Sequence, residues 1–422
     1  MKLGRRLAAL GSVLAAGALL VSCSGGGGGS SAGEVEGTLD FYTNKGAWEP
    51  DFEALNPLSE EAIGIDLDIA SYSDQPQYEA FIRQSFRTDE SPGLFTWATG
   101  PQLQELVDEG LIAETTDIWD EAIEEGWVSE DLKQYYTYDD KQYCVPLNIA
   151  YWVMYYNIPI FEENGIEVPT TWDELMDAAA TFSDNGVTPF YTTSTLFTFV
   201  WFETLVAGTD PELYQGLETG EVSYTDPRIV EIMNTWLEQE EAGWFTDPGS
   251  TTDPATMLNN GEMAMINFGT FFSGSLKGVG MEPGVDYGTF IIPAVDPGLD
   301  KTPVPVETGP LCTAENSPQR ERGLEYARWW MGPEAQGAWN SARGDVPFNP
   351  QAEVSDEGLA ELGEEIASGD YELVTRYFEA APPPVLTVAL EQLGAFIANP
   401  GDPLPYLQTI QDAADAYWAE QE

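Results

Sequence analysis

An α/β body is the fold class this chain predicts, on three observations. Short apolar or alternating runs are separated by amphipathic segments from residue 37 onward. The 422 residues allow about two or three domains at ~100–200 residues each. A content of 43% hydrophobic and 12% aromatic residues is rich enough to fill a core in each. In order, residues 38–42 (TLDFY) read as a strand, 48–55 as a helix, 65–69 (IDLDI) as an alternating strand and 77–87 as a helix, the pattern of parallel βαβ units. Residues 92–97 give a further strand, 102–109 a helix that Gly110 stops, and 143–156 one long β-rich run. Thr171, followed three residues on by Glu174, predicts a helix start closed by a reciprocal capping box. Helices are expected over 197–207, 227–242 and 252–259, with strands at 263–267 and 287–292. A Pro/Gly-rich connection over 293–305 leads to a strand around 309–313, and the C-terminal quarter reads as helical. No internal repeat is visible.

Composition removes whole classes of function. With 16 Lys+Arg against 72 Asp+Glu, the net charge of −56 coats the surface with carboxylates, so nucleic acid is not an expected partner. Adaptation to high salt explains such a charge; an ordinary acidic secreted protein is the alternative. The chain has no histidine, which excludes Ser-His-Asp and Cys-His nucleophile activation and His-bearing zinc sites. There is no phosphate-loop pattern and no EF-hand loop, and neither a cofactor nor a designed metal site is expected.

The first residues read as an address. Lys2, Arg5 and Arg6 precede an apolar run over 7–21, shorter than the ~20 residues of a membrane span, and Leu20-Val21-Ser22-Cys23 closes it. This resembles a bacterial lipoprotein signal with its lipobox, which implies a signal peptide over 1–22 and a diacylglycerol on the Cys23 thiol; a plain secretory signal is the alternative. Residues 23–33, with Gly25 to Gly29, then form a flexible tether. The expected location is the outer face of the cell membrane. Two other cysteines remain, Cys144 and Cys312, either bridged, as is usual outside the cell, or buried as free thiols.

Four segments are the most distinctive: Tyr143-Cys144-Val145-Pro146, Tyr155-Tyr156-Asn157, Phe161-Glu162-Glu163-Asn164-Gly165-Ile166, and Pro169-Thr170-Thr171-Trp172-Asp173-Glu174-Leu175. Ser91-Pro92-Gly93-Leu94-Phe95, Asn260-Gly261-Glu262-Met263-Ala264-Met265 and Ala327-Arg328-Trp329-Trp330-Met331 support them. In this order they resemble the extracellular solute-binding proteins of bacterial ABC sugar importers, the maltose-binding-protein-like group, from about Leu39 to Trp418. Gly93 departs from the Pro-Asp usual there. The resemblance implies a periplasmic-binding-protein-like II fold, with two discontinuous lobes joined by hinge strands. The N-lobe would be 34–145 with 313–350, and the C-lobe 146–312 with 351–422. Hinge crossings would fall near Cys144-Val145-Pro146 and Leu311-Cys312-Thr313, so a Cys144–Cys312 bridge between hinge strands is the expectation.

A sugar offers hydroxyl rims to polar side chains and C–H faces to flat rings. Carried onto the loops that face the cleft in this family, the resemblance points to Asn44 and Trp48 after the first strand, Tyr72 after the second and Trp97 after the third. Tyr151 and Trp152 lie past the first crossing, Trp201 starts a helix, and Asn267, Thr270 and Phe271 surround Gly269. Glu307 precedes the second crossing, and Arg343 and Asp345 flank Gly344. Core packing accounts equally well for Trp152 and Trp201, and a surface salt bridge for Arg343.

The reading that follows is a monomeric, lipid-anchored receptor that captures a neutral carbohydrate, an oligosaccharide before a monosaccharide, by hinge closure and hands it to a membrane permease without chemistry. The alternatives are a secreted glycosidase using paired carboxylates, an adhesin without a ligand cleft, and a receptor for a polyol or peptide. Phosphorylated ligands are disfavoured by the scarcity of basic residues.

Overall fold

The computed structural model describes residues 37–88, 91–195, 197–344, 346–354, 356–366 and 368–421. The leader, Cys23, the tether and Asp345 lie outside the described residues. Ten strands are described: β1 (Gly37–Thr43), β2 (Ile65–Ser71), β3 (Leu94–Thr96), β4 (Thr137–Tyr138), β5 (Lys141–Gln142), β6 (Val145–Asn157), β7 (Met265–Gly269), β8 (Tyr287–Phe290), β9 (Thr302–Cys312) and β10 (Tyr371–Thr375). The main sheet runs β2-β1-β3-β9-β6-β7, with β10 also on β9 and β8 also on β6. β1 pairs parallel with β2 and β3, as βαβ units demand, whereas β9 runs antiparallel to both β3 and β6.

Two hydrophobic cores share this sheet. The first gathers Leu39 and Phe41 of β1, Leu67 of β2 and Phe95 of β3 around Trp119, Trp330 and Trp339. The second gathers Met154 and Tyr155 of β6 and Ile266 of β7 around Phe202, Trp236 and Phe396. β6 and β9 serve both: Val145, Leu147 and Ile149 pack in the first core and Trp152 to Tyr155 in the second, while Val306 and Leu311 pack in the first and Val304 in the second. The changeover therefore lies beside Ala150–Tyr151 and Val304–Val306, not at Cys144–Pro146 and Leu311–Thr313, because the paired residues Val145, Leu147, Ile149, Val306 and Leu311 still pack in the first core.

Local chemistry explains most boundaries. Helix Trp172–Asp184 starts as its sequence dictates, with Thr171 Oγ1 accepting from Glu174 N at 3.2 Å and Glu174 Oε2 accepting from Thr171 N at 3.2 Å. Helix Glu49–Ile63 extends well beyond residue 55 despite Pro57, because Phe52, Leu55 and Ser59 keep one face buried until left-handed Gly64 ends it. The run 293–305 is not all connection: β9 already begins at Thr302 and includes Pro303 and Pro305. Its ladder with β6 starts only at Val306, so those prolines sit where one edge of β9 is unpaired and a missing N–H costs no bond. The short β4–β5 pair and β10, inside the expected helical quarter, are strands that the periodicity of the sequence does not predict.

Candidate ligand site where the two cores meet

Three segments of the first core carry the near side. β1 ends at Thr43, and a single 3-10 turn, Gly46–Trp48, leads into the following helix, which fixes Asn44, Lys45 and Trp48 in sequence. Trp48 is only 7% exposed. Lys45 Nζ lies over its ring at 5.0 Å and the Arg343 guanidinium at 4.7 Å, both within cation–π range. Arg343, the last residue of helix Pro333–Arg343, also reaches Asp51 Oδ2 at 3.5 Å and the Phe271 carbonyl at 3.4 Å. Phe271 completes the contact, its ring centroid 6.1 Å from that of Trp48.

The far side belongs to the second core. Trp152, 1% exposed, stacks on Phe268 at 5.5 Å and meets Phe271 edge-on at 6.2 Å. One aromatic wall thus runs from Trp48 through Phe271 to Trp152 and Phe268. Behind it lies a buried charge network. Glu307 of β9 accepts from Lys45 Nζ at 3.2 Å and from Arg376 Nη1 at 2.6 Å. Arg376 grips Glu379 with two further N–H groups and lies over the Trp152 ring at 5.3 Å. Burial opposes ionisation of Glu307, but Arg376, Lys45 and the Asn148 side chain hold its carboxyl below the ordinary glutamate value. Glu203, behind Arg376, has no such cation of its own; burial pushes its carboxyl up to about 8, although it accepts from the Tyr377 N–H at 2.6 Å.

The two sides touch at two glycines. A Cβ on Gly100 would stand 2.2 Å from the Glu379 carbonyl oxygen, and one on Gly274 would stand 2.0 Å from that of Arg343. Only glycine permits backbones that close. These two approaches bring backbone of the two cores together.

The sequence-derived candidates divide accordingly. Trp48, Tyr151, Trp152, Phe271, Glu307 and Arg343 come together here; Tyr151 is half-buried in β6 opposite Val306. Asn44 sits beside them, yet its amide is used at home, donating to Gln75 Oε1 at 2.6 Å and accepting from Thr96 Oγ1 at 2.8 Å. Tyr72 stacks on Phe81 at 5.2 Å, at the rim of the first core. Trp97 packs inside that core, its indole N–H spent on the Gln102 carbonyl at 3.0 Å. Trp201 lies in the second core, its N–H on Gln239 Oε1 at 2.7 Å. Gly269 and Thr270 act through backbone: the Thr270 N–H reaches the Tyr151 carbonyl at 3.0 Å, and a Gly269 side chain would strike the Phe271 ring. Lys45, Arg376 and Glu379 were not anticipated. The one signal for Arg376 was its rarity as a cation, with 16 Lys+Arg in the whole chain.

Cys144 and Cys312 form a disulfide with Cα atoms 4.3 Å apart. It lies wholly inside the first core, at the end of β6–β9 away from the changeover.

Comparison with known proteins gives a consistent result. The family described as bacterial extracellular solute-binding protein matches residues 53–362. An uncharacterised ABC transporter extracellular-binding protein of Pyrococcus horikoshii is 25% identical over 336 residues, covering 77% of this chain and 72% of that protein. The sn-glycerol-3-phosphate-binding periplasmic protein of Rhizobium meliloti is 24% identical over 286 residues, 64% of each chain. Among solved structures, a chitin oligosaccharide binding protein superposes with a TM-score of 0.76 at 18% identity, over 91% of this chain and 99% of that one.

Proposed function

Because this chain belongs to the bacterial extracellular solute-binding proteins, the non-enzymatic binding components of ABC transporters, we propose that its ligand is a neutral carbohydrate, held where the two cores meet. The observation that carries this reading is the wall Trp48, Phe271, Trp152 and Phe268: flat apolar faces suited to the C–H faces of sugar rings, with ionised and amide groups beside them for hydroxyls. A phosphorylated ligand, the kind named for the Rhizobium relative, would need a cation to spare. Here Lys45 is matched to Glu307, Arg376 to Glu307 and Glu379, and Arg343 to Asp51.

In this reading the lobe division lies where the cores change over, near Ala150–Tyr151 of β6 and Val304–Val306 of β9, and the two lobes move about those points. The sugar draws them together by its differential contacts, and a permease reads the closed surfaces. Cys23 carries the lipid anchor, and the receptor works as a monomer on the outer face of the membrane.

Titration calorimetry of the chain from Cys23 onward tests this, against neutral mono- and oligosaccharides and sn-glycerol 3-phosphate, at low and at molar salt. Saturable binding of a sugar recovered intact is the expected result. Tighter binding of the phosphate ester would overturn the neutral-ligand reading, and hydrolysis of the sugar would overturn the receptor.

A further inference from the structure

Acidic residues occupy the helix ends where they are least favourable. The C-terminus of a helix presents unpaired carbonyls and the negative pole of the helix dipole, so Lys and Arg stabilise it and Asp and Glu do not. Helix Glu49–Ile63 nevertheless carries Glu60 and Glu61 in its last turn, Thr116–Glu124 carries Glu124, and Trp172–Asp184 carries Asp184. Pro227–Glu241 ends on Glu241, and Glu357–Ile366 has Glu364 in its last turn. None of these five turns holds a Lys or Arg. All six carboxylates are exposed, and none makes an ion pair with a described residue.

The chain cannot supply the missing cations, with 16 Lys+Arg for 72 Asp+Glu. Lys45, Arg343 and Arg376 are committed where the two cores meet, and Arg83, Lys133, Lys141, Arg228, Arg320 and Arg328 already hold carboxylates elsewhere. Glu240 shows what a carboxylate meets at such an end. It lies in the last turn of Pro227–Glu241 and accepts from Trp236 Nε1 at 3.1 Å, yet burial with no cation to oppose it pushes its carboxyl up to about 7.

We propose that this fold is conditional on ionic strength: carboxylates in the last helical turns repel the helix-end carbonyls at low salt, and monovalent cations of the medium stand in for the absent Lys and Arg. These cations act as a diffuse layer and not as coordinated ions, since no group of three or more acidic side chains converges to hold a metal among the described residues. At about 0.1 M salt the Debye length is ~10 Å, longer than the ~5.4 Å of one helical turn; at about 1 M it is ~3 Å, which confines each charge to its own turn. Position matters as well as number, because Asp and Glu in a first turn face the positive pole and stabilise. The inference is independent of which solute the receptor binds.

Thermal melts followed by circular dichroism, at about 0.1 M and about 2 M KCl, decide it on the unsubstituted chain from Cys23 onward and two variants of equal net charge. Glu124→Gln/Asp184→Asn/Glu364→Gln clears last-turn carboxylates from three helices, and Asp117→Asn/Asp173→Asn/Glu357→Gln clears first-turn carboxylates from the same three. All six positions are exposed, so neither variant disturbs a core. The unsubstituted protein is expected to melt about 10 °C or more higher at the higher salt, or to show no folded baseline at the lower. At low salt the last-turn variant is expected to melt a few degrees above it and the first-turn variant no higher than it, with the differences gone at high salt. Equal gains from the two variants would show that net charge, not helix ends, sets the salt dependence and would overturn the inference. A melting temperature indifferent to KCl would overturn it as well.

Discussion

Glu307 and Arg376 meet because two strands end their pairing just before them. β10 runs parallel to β9 up to the Thr375–Val306 pair, so the next residue on each strand stands beside the other, and their side chains join at 2.6 Å. Both are nearly inaccessible, at 1% and 5% exposure. A buried pair of this kind contributes little relative to apolar residues of the same shape, but breaking it strands a charge.

Glu307→Met would leave Lys45 without its carboxylate and Arg376 with Glu379 alone. The expected loss is about 3–5 kcal/mol in denaturant-unfolding free energy. Glu307→Gln keeps an acceptor oxygen for one of the two cations and turns its amide nitrogen to the other, and should lose less than the methionine. Equal losses from the two uncharged substitutions would show that the lost charge, and not the remaining acceptor oxygen, decides the effect.

This network also marks where the sequence stops being readable. The capping box at Thr171 and Glu174 is legible because all its atoms lie within one turn of chain. β1, β2 and β6 are legible because alternation or a long apolar run suffices to specify a strand. β10 pairs only with β9, and its run Tyr371-Glu372-Leu373-Val374-Thr375 sits among helices, so neither its state nor the placing of Arg376 can be read locally. Aromatic residues show the same limit. Trp48 and Trp97 both follow strands near a helix start, yet one faces the second core and the other its own, a choice made by helix packing and not by spacing.

Acidity should stabilise this protein from slightly alkaline to mildly acidic pH. Burial raises Glu203 and Glu218 to about 8 and Glu240 to about 7. A carboxyl whose folded pKa lies above its unfolded value is favoured while protonated in both states, and that advantage drains away as pH rises through the interval between the two. Unfolding free energy should therefore increase as pH falls from about 8 toward 5. Glu307 has the opposite sign: its lowered pKa stabilises above the usual glutamate range, and this contribution is lost in stronger acid. Urea melts across pH 4 to 9 should show a mildly acidic maximum, and Glu203→Gln should flatten its alkaline side. An unchanged slope in that variant would mean Glu203 is already ionised in the fold.

The disulfide should matter for stability and not for the ligand. Cys144 has a left-handed backbone, φ 62°, and its carbonyl accepts from Thr115 Oγ1 at 2.7 Å and Trp119 Nε1 at 2.9 Å, so the surrounding first core holds it independently of any closure. With a sequence separation of 168 between the cysteines, the paired substitution Cys144→Ser/Cys312→Ser should cost about 2–4 kcal/mol. Sugar affinity measured well below the melting temperature should be unchanged. A loss of affinity without a loss of stability would place the bond in the hinge after all.

Gly274 offers the sharpest test of closure. It belongs to helix Phe272–Gly278 of the second core, and the atom it nearly touches, the carbonyl oxygen of Arg343, caps a helix packed with the first. A methyl group at 2.0 Å from a backbone oxygen cannot be accommodated by rotating a side chain, so one helix must retreat by about an ångström or more. Within a single rigid body that retreat would appear as lost stability. Between lobes that hinge, it is met by opening, which leaves each core intact and penalises only the closed state. Each 1.4 kcal/mol of penalty moves the open–closed ratio about tenfold and weakens a closure-dependent ligand by up to the same factor. Gly274→Ala is thus expected to enlarge the radius of gyration in small-angle scattering and to weaken sugar binding about tenfold or more, with a melting temperature near that of the unsubstituted protein. If instead the variant melts early and binds normally once folded, the contact is ordinary packing, and the closed arrangement is the only one the chain adopts.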